Sequence, residues 1–528
     1  MAKDKFNRKI NKKIKLKLPI KIIFKVYIKL KYTKFCFMKK SISNSSRRSF
    51  LKKSAAASSF FIIPRFVLGG NGYTAPSDRL SIASIGCGGK GRSDIINASV
   101  NGRENVVALC DIDPNGNHGV IDVRKKFPKA KFYTDFKELL SEEKNLDAVT
   151  ISTPDHTHAI IAKTAMEKKI HVYVQKPLTH NIKEARLLTQ LARENKVVTQ
   201  MGNQGASHPG QKFVENWIKE KRIGNVSEIK VWTNRPVWPQ GISFPASDPE
   251  NKPKGLDWDS WLGPAKKIPY NSSLHPFNWR GWWDYGTGSL GDMGCHLIDI
   301  PFRALKLKYP VSVECSVSSF FSKMWEVKHQ NIGCPTSSYV TINFEPTYLN
   351  KTPMKLEWYD GGLRPSYPSL IPAETYLGDK TNTNGVMIIG DDGIITTGVY
   401  GKNPRLFTKD KNVIEPKIKN LPKDDWGHQK MWIDAIKDGY GSSKHKMLTS
   451  SFDYAGPMTE TVLMGNIAIR SYFLNKNGNP DTVRITGKNR NSYYGRRKMN
   501  WDGENMKITN FEDANQFVGR NYREGWEV

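Results

Sequence analysis

Residues 86–91 read Gly-Cys-Gly-Gly-Lys-Gly, a G-x-G-x-x-G spacing. The three glycines have separate tasks. Gly86 permits a tight turn, Gly88 lets the backbone approach a pyrophosphate, and Gly91 lets a helix pack close to a strand. An acid, Asp111, stands 25 positions after Gly86. A carboxylate there accepts hydrogen bonds from the adenosine ribose and repels a 2′-phosphate. The chemistry expected is dinucleotide binding, with NAD favoured over NADP. Arg92 argues the other way, because a guanidinium beside the loop can meet a phosphate. A second set has the types needed for proton transfer. Asp292 and His296 are four positions apart, so on a helix they share a face. The imidazole can take a proton near neutral pH. The carboxylate can orient it or hold a substrate hydroxyl. Lys176 offers the positive charge that a developing alkoxide needs.

The surrounding elements must bring these residues together. Leu80–Ile85 alternates and is β-rich, so it reads as a strand running into the glycine loop. A helical stretch runs from Arg92 to about Val100, and Val106–Cys110 is a strand ending in Asp111. Strands are also expected at Leu146–Ile151, His171–Val174 and Val197–Met201, and helices at His158–Lys169 and Asn181–Asn195. Alternation of this kind implies a doubly wound parallel sheet, a Rossmann domain over residues 79–202, whose ligands sit beyond the carboxyl ends of the strands. The glycine loop, Asp111, the exit loop with Thr153, Pro154 and His158, and Gln175-Lys176 all lie at such ends. His156 and His158 form His-x-His, but no further ligands stand at zinc-like spacing, so a loop contacting the cofactor is preferred and no metal is expected.

Residues 203–475 read as a second α/β domain. Strand-like runs at Val311–Ser319, Ser338–Phe344, Met354–Tyr359 and Gly385–Ile389 suggest a large, mostly antiparallel sheet. Helices are expected at 428–437 and 454–473. Seven of the 14 tryptophans fall between Trp232 and Trp283. Most are read as core. Trp279, Trp282 and Trp283 flank Arg280 and run toward Asp292, so Arg280, Trp282 and Trp283 are taken as substrate-binding, with flat rings available to stack on sugar faces. Asn203 and Gln204 are further cleft candidates. Asp299 reads as structural, and His428 as structural or a substrate-cleft residue rather than a base. Residues 476–528 form a polar, aromatic-punctuated C-terminal tail.

With these motifs in order, the chain resembles the glucose-fructose oxidoreductase / inositol dehydrogenase / rhizopine-catabolism (Gfo/Idh/MocA) family of NAD(P)-dependent oxidoreductases. The matching pieces are Gly86–Gly91, Thr153-Pro154, Gln175-Lys176-Pro177 and Gly291-Asp-Met-Gly-Cys-His296. Trp358–Gly362, Gly390–Gly393 and Phe452–Pro457 look like the exported branch. The resemblance implies an open-faced second domain used in oligomerisation, hence a homo-oligomer. It also implies a Lys176/Asp292/His296 constellation beside the nicotinamide and a carbohydrate substrate. One departure stands out: the family's Glu-Lys-Pro is Gln175-Lys176-Pro177 here, so a carboxylate beside the lysine is lost.

Charge and targeting bound the rest. The chain has 528 residues and a formal net charge of +31. Residues 1–70 carry +19 of it, with 20 Lys+Arg and the single acid Asp4. The excess is therefore an N-terminal feature, and no nucleic-acid partner is expected. Ser46-Arg-Arg-Ser-Phe-Leu-Lys52, a short apolar stretch and Gly69-Gly70 resemble a twin-arginine export signal. The expectation is a periplasmic or otherwise exported protein, either freed of its signal or anchored by it, with the twin-arginine machinery as partner. Met38 is a natural start for that signal. Six cysteines without a framework read as mostly free thiols. Together these features point to hydride transfer between a carbohydrate CH–OH and nicotinamide. The alternatives are a glycosidase that recycles bound NAD and a non-catalytic sugar or nucleotide sensor on the same fold.

Overall fold

The computed structural model describes residues 75, 78–116, 118–328, 332–418, 426–476, 482–484 and 493–528. The arginine pair at 47–48, the rest of the N-terminal 70 residues and Cys36 lie outside them. So does Asp425. Among the described residues no helix is long and apolar enough to cross a membrane.

The first sheet has six parallel strands: β1 (Ser81–Ile85), β2 (Asn105–Cys110), β3 (Lys131–Tyr133), β4 (Ala148–Ile151), β5 (His171–Val174) and β6 (Thr199–Met201). Their order is β3-β2-β1-β4-β5-β6. The chain reverses its direction of travel between β1 and β4, which opens a crevice beyond their carboxyl ends. Strand residues alternate between two buried faces. Ile82 and Ala148 pack to one side with Ile95 and Trp432, while Ala83 and Val149 pack to the other. Covering helices are α1 (Gly89–Ala98), α2 (Val120–Lys126), α3 (Phe136–Glu142), α4 (His158–Glu167) and α5 (Ile182–Glu194). α5 begins where Asn181 accepts from the Glu184 amide at 3.0 Å, while Glu184 accepts from the His180 amide at 3.1 Å. This reciprocal capping satisfies otherwise free amides of the first turn.

The second domain is built on a ten-stranded mixed sheet. Its strands are β7 (Val226–Trp232), β8 (Ser312–Val317), β11 (Ser338–Phe344), β12 (Met354–Tyr359), β13 (Gly385–Gly390), β14 (Gly393–Thr397), β15 (Arg405–Thr408), β16 (Val413–Ile414), β18 (Met499–Asp502) and β19 (Lys507–Ile508). The order is β16-β15-β14-β13-β7-β12-β11-β8-β18-β19. Only β7 and β12 pair in parallel; the rest of the ladder is antiparallel. β9 (Phe320–Lys323), β10 (Glu326–Lys328) and β17 (Thr482–Arg484) make a small separate sheet. Helices α6 (Gly210–Lys219), α7 (Trp258–Leu262), α8 (Gly288–Leu297) and α9 (Asp299–Ala304) precede most of these strands. α10 (His428–Asp438), α11 (Ser443–Lys446) and α12 (Phe452–Ser471) follow β16.

One feature differs from the sequence expectation. The segment read as a tail enters the second domain: β18 pairs with β8, continuing the ten-stranded sheet. α10 lies on the first sheet, with Trp432 and Ile433 in the same core cluster as Ile82 and Leu109. Cys87, Cys110, Cys295, Cys315 and Cys334 are free thiols.

Candidate active site

A cleft of about 380 Å³ opens at the β1/β4 crevice. Its floor is the glycine loop and its far wall is the segment His275–Arg280. Gly86 adopts φ +73°, a left-handed conformation that glycine takes at no steric cost. A methyl group on Gly91 would stand 1.8 Å from the Gly86 carbonyl oxygen, so only glycine lets α1 start against this turn. Gly88 leaves an equally tight cradle, because a Cβ there would meet the His118 ring at 2.3 Å. Asp111 closes the end of β2. Its Oδ2 accepts from the Gly88 amide at 2.9 Å and its Oδ1 from the Asp113 amide at 3.1 Å. Arg92 pairs instead with Asp122 of α2 at 3.2 Å. An acid at the ribose position, a glycine cradle and a helix N-terminus fit an NAD pyrophosphate and its adenosine.

Beside the cleft, joined to its lining through Arg280, α8 carries Asp292 and His296 one turn apart. Asp292 gathers three cations. Lys176 Nζ donates to Asp292 Oδ1 at 2.8 Å and to its backbone oxygen at 2.7 Å. Arg235 Nε donates to Oδ2 at 3.2 Å, and Arg280 Nε lies 3.6 Å from Oδ1. Burial alone would raise the Asp292 carboxyl, but the Lys176 and Arg280 charges and the Lys176 hydrogen bond hold it well below the usual carboxylate range. It is ionised at any working pH. His296 is buried. Burial first, and then the Lys176 charge, push it well below an ordinary histidine, so its ring is neutral. Its Nδ1 has no hydrogen-bond partner among the described residues. Tyr400 supports the ring edge-on, with centroids 4.8 Å apart.

Residues 80–203 match the family model described as "Oxidoreductase family, NAD-binding Rossmann fold". Residues 225–320 match "Oxidoreductase family, C-terminal alpha/beta domain". Both matches are to domains of Gfo/Idh/MocA oxidoreductases. Among curated relatives, the UDP-N-acetylglucosamine 3-dehydrogenase of Acidithiobacillus ferrooxidans is 31% identical over 86 residues, 16% of this chain and 26% of that protein. The glycosyl hydrolase family 109 protein 4 of Phocaeicola vulgatus is 31% identical over 127 residues, 23% of this chain and 24% of that protein. The chain therefore spans only 26% and 24% of these relatives' lengths. The crystal structure of an oxidoreductase domain protein from Kribbella flavida shares the fold, with a TM-score of 0.50 at 16% identity, over 74% of this chain and 97% of that one.

The residues read from sequence fall into three groups. Gly86, Gly88, Asp111, Thr153, Pro154 and Arg280 line the cleft, and Lys176 and Asp292 pair beside it, with His296 one turn on. Gln175 and His158 lie behind the wall. Gln175 Nε2 donates to buried Asp94 Oδ2 at 2.7 Å. His158 bridges the carbonyls of Thr153 and Pro177 at 2.8 and 2.9 Å, so it fastens the two loops rather than facing the cleft. His156 is likewise committed, to the carbonyls of Trp261 and Tyr285. Trp282 and Trp283 are placed elsewhere. The turn at Asn278–Gly281 aims Arg280 into the cleft and sends Trp282 into an aromatic core beside Phe244. Trp283 lines a separate cavity. Asp299 is structural, as read from sequence, and so is His428. Asp299 holds Arg303 at 2.9 Å and Tyr454 at 2.5 Å. His428 Nε2 meets the Met201 carbonyl at 2.8 Å.

Several site residues carried no local signal. Arg235 reaches Asp292 from the end of β7. His118 stands 3.9 Å from Asp111, whose hydrogen bond raises it above an ordinary histidine. Trp526, near the far end of the sequence, packs on Phe136 and lines the cofactor cleft. None belongs to a spaced motif; only the tertiary fold brings them in.

Proposed function

We propose that this chain is an NAD-dependent oxidoreductase acting on a CH–OH group of a sugar, glycoside or polyol. The observation that carries the reading is the pairing of Lys176 with Asp292, one helical turn from neutral His296, beside a cleft that fits NAD and joined to it through Arg280. Bound nicotinamide supplies the hydride acceptor. His296, its Nδ1 unpartnered, takes the proton of the reacting hydroxyl. Lys176, with Arg235 and Arg280 behind it, stabilises the oxygen as negative charge develops. Asp292 keeps the three cations in place and takes no proton itself. Asn203, buried just after β6 with both side-chain polar atoms unpartnered among the described residues, is suited to a substrate hydroxyl.

The test uses the full chain. The protein is denatured, any released nucleotide is identified, and NADH formation is followed with a panel of aldoses, glycosides and inositols. The expected result is one NADH per oxidised product. Lys176→Ala should lower kcat by roughly 10²–10⁴-fold while the NAD Kd stays within twofold. Wild-type turnover in that variant would falsify the catalytic assignment.

A second reading is favoured by the match to the glycosyl hydrolase family 109 protein. In it, oxidation and elimination cleave a glycoside and the same bound NAD is regenerated. Its signature is released sugar with no net NADH and nucleotide that co-purifies near one per chain.

Two further properties belong to the proposal. The Ser46–Lys52 motif supports export by the twin-arginine route; Arg47→Lys with Arg48→Lys should keep the protein in the cytoplasmic fraction. The exposed Phe320, Phe321, Met324 and Trp325 around the β9–β10 turn support a homo-oligomer, to be read by light scattering on a sizing column.

A further inference from the structure

A second cavity lies apart from the cofactor cleft, on the other side of the Thr153–His158 loop. It has about 570 Å³ of space and narrows into a recess bounded by His180, Trp283, Asn466 and Arg470. Thr153, Pro154 and Thr157 face the cofactor cleft, whereas the carbonyl of His156 is bound from the second cavity by Arg520 at 2.6 Å.

The lining is built of polar groups that lack protein partners. Arg470, near the end of α12, has no hydrogen bond and no carboxylate at ion-pair distance among the described residues. Its guanidinium lies 4.4 Å from the Phe517 ring centroid and 5.7 Å from that of Trp283. Burial lowers it to about 10, which leaves it charged at neutral pH. Three neighbours are more than nine-tenths buried, at 8%, 4% and 6% exposure for His180, Trp283 and Asn466. Among the described residues, neither ring nitrogen of His180 makes a hydrogen bond of normal geometry, and Trp283 Nε1 and Asn466 Oδ1 have no partner. Buried polar atoms are ordinarily paired, and the charge of half-buried Arg470 is answered by no carboxylate at ion-pair distance among the described residues. Lys183 and Lys266 stand exposed at the mouth. The one other cation, Arg520, is already paired with Glu184 at 2.8 Å. Among the described residues, Asp284 is the only acid lining the cavity.

We propose that this cavity binds a small hydroxylated oxyanion, a sugar acid or sugar phosphate. The guanidinium of Arg470 grips the oxyanion, as its planar fork is suited to do. Trp283 Nε1–H is a further donor. Asn466 Oδ1 accepts, and so favours a ligand that carries hydroxyls. Trp283 and Phe517 line the space a sugar ring would fill.

Calorimetric titration of the full chain with D-glucuronate and with D-glucose 6-phosphate tests this, with D-glucose and inorganic phosphate as the one-feature controls. The expected result is saturable binding of at least one sugar anion with Kd below 1 mM, at least tenfold tighter than either control; which anion wins distinguishes the carboxylate from the phosphate ester. Arg470→Ala should weaken it at least tenfold with NAD affinity unchanged. If that variant fails to fold, Lys266→Glu at the exposed rim should weaken it severalfold instead. No saturation of either sugar anion below 10 mM, equal binding of inorganic phosphate, or affinity unmoved by the folded variants overturns the proposal.

Discussion

Gln175 donates to one oxygen of Asp94 and Gln429 to the other, at 2.7 and 2.9 Å, and Ser152 also binds Oδ2 at 2.8 Å. Asp94 has no exposed surface. A glutamate at 175, which the family motif would lead one to expect, would set a second carboxylate against it. The amide therefore compensates for an acid supplied by α1, and the apparent loss in the motif is a relocation of charge. Gln175→Glu should destabilise the fold by roughly 1–3 kcal/mol at pH 8. Burial and the like charge would raise the new carboxyl above its unfolded value. The penalty is then present at high pH and fades as pH falls into the carboxylate range. Urea melts at pH 8 and pH 5 read the difference; an equal loss at both would contradict the charge argument. Lys176, Asp292 and His296 were legible in sequence because a helical spacing and a strand end place them. Arg235 was not, because nothing within its own segment relates it to a carboxylate 57 positions later.

At the scale of elements, periodicity found the helices and strands that carry the site. β5, β11 and β12 fall where the sequence puts them, and the helix expected at 428–437 is α10 at His428–Asp438. Adjacency misled at Trp282 and Trp283: consecutive side chains leave an extended backbone on opposite sides, so neighbours of Arg280 need not share its cleft. α10 is tied to the first sheet through its leading residue. His428 Nε2 meets the Met201 carbonyl and its Nδ1 meets Ser207 Oγ at 2.7 Å. Burial pushes His428 from about 6.5 down to about 4. A histidine with a depressed folded value is neutral in the native protein, and the unfolded chain binds the extra proton. Its contribution is complete above pH 6.5 and is lost as pH falls from 6.5 to 4. His428→Gln should flatten the stability–pH slope in that window by up to about 1.4 kcal/mol per pH unit. Denaturant melts at half-unit steps measure it, and an unchanged slope would mean that His428 is already protonated in the native state.

In the molecule as a whole, the cofactor cleft is a composite of distant segments. The first sheet gives the glycine loop and Asp111, the second domain gives His275–Arg280, and Trp526 closes a wall against Phe136. Removing that ring by Trp526→Ala should weaken NAD about tenfold, or roughly 1.4 kcal/mol. The protein should keep its melting cooperativity, because the ring lies at the edge of the core. Fluorescence titration gives the affinity; an unchanged Kd would show that the wall does not touch the dinucleotide. The same composite fixes an order of events in the life of each copy. The glycine loop is made about 440 residues before Trp526, which at about 5–20 residues per second is tens of seconds earlier. Through that interval the first sheet can form, but the nucleotide pocket lacks a wall. A growing chain therefore holds its cofactor more weakly until Trp526 has emerged, and tight loading belongs to the moments after that.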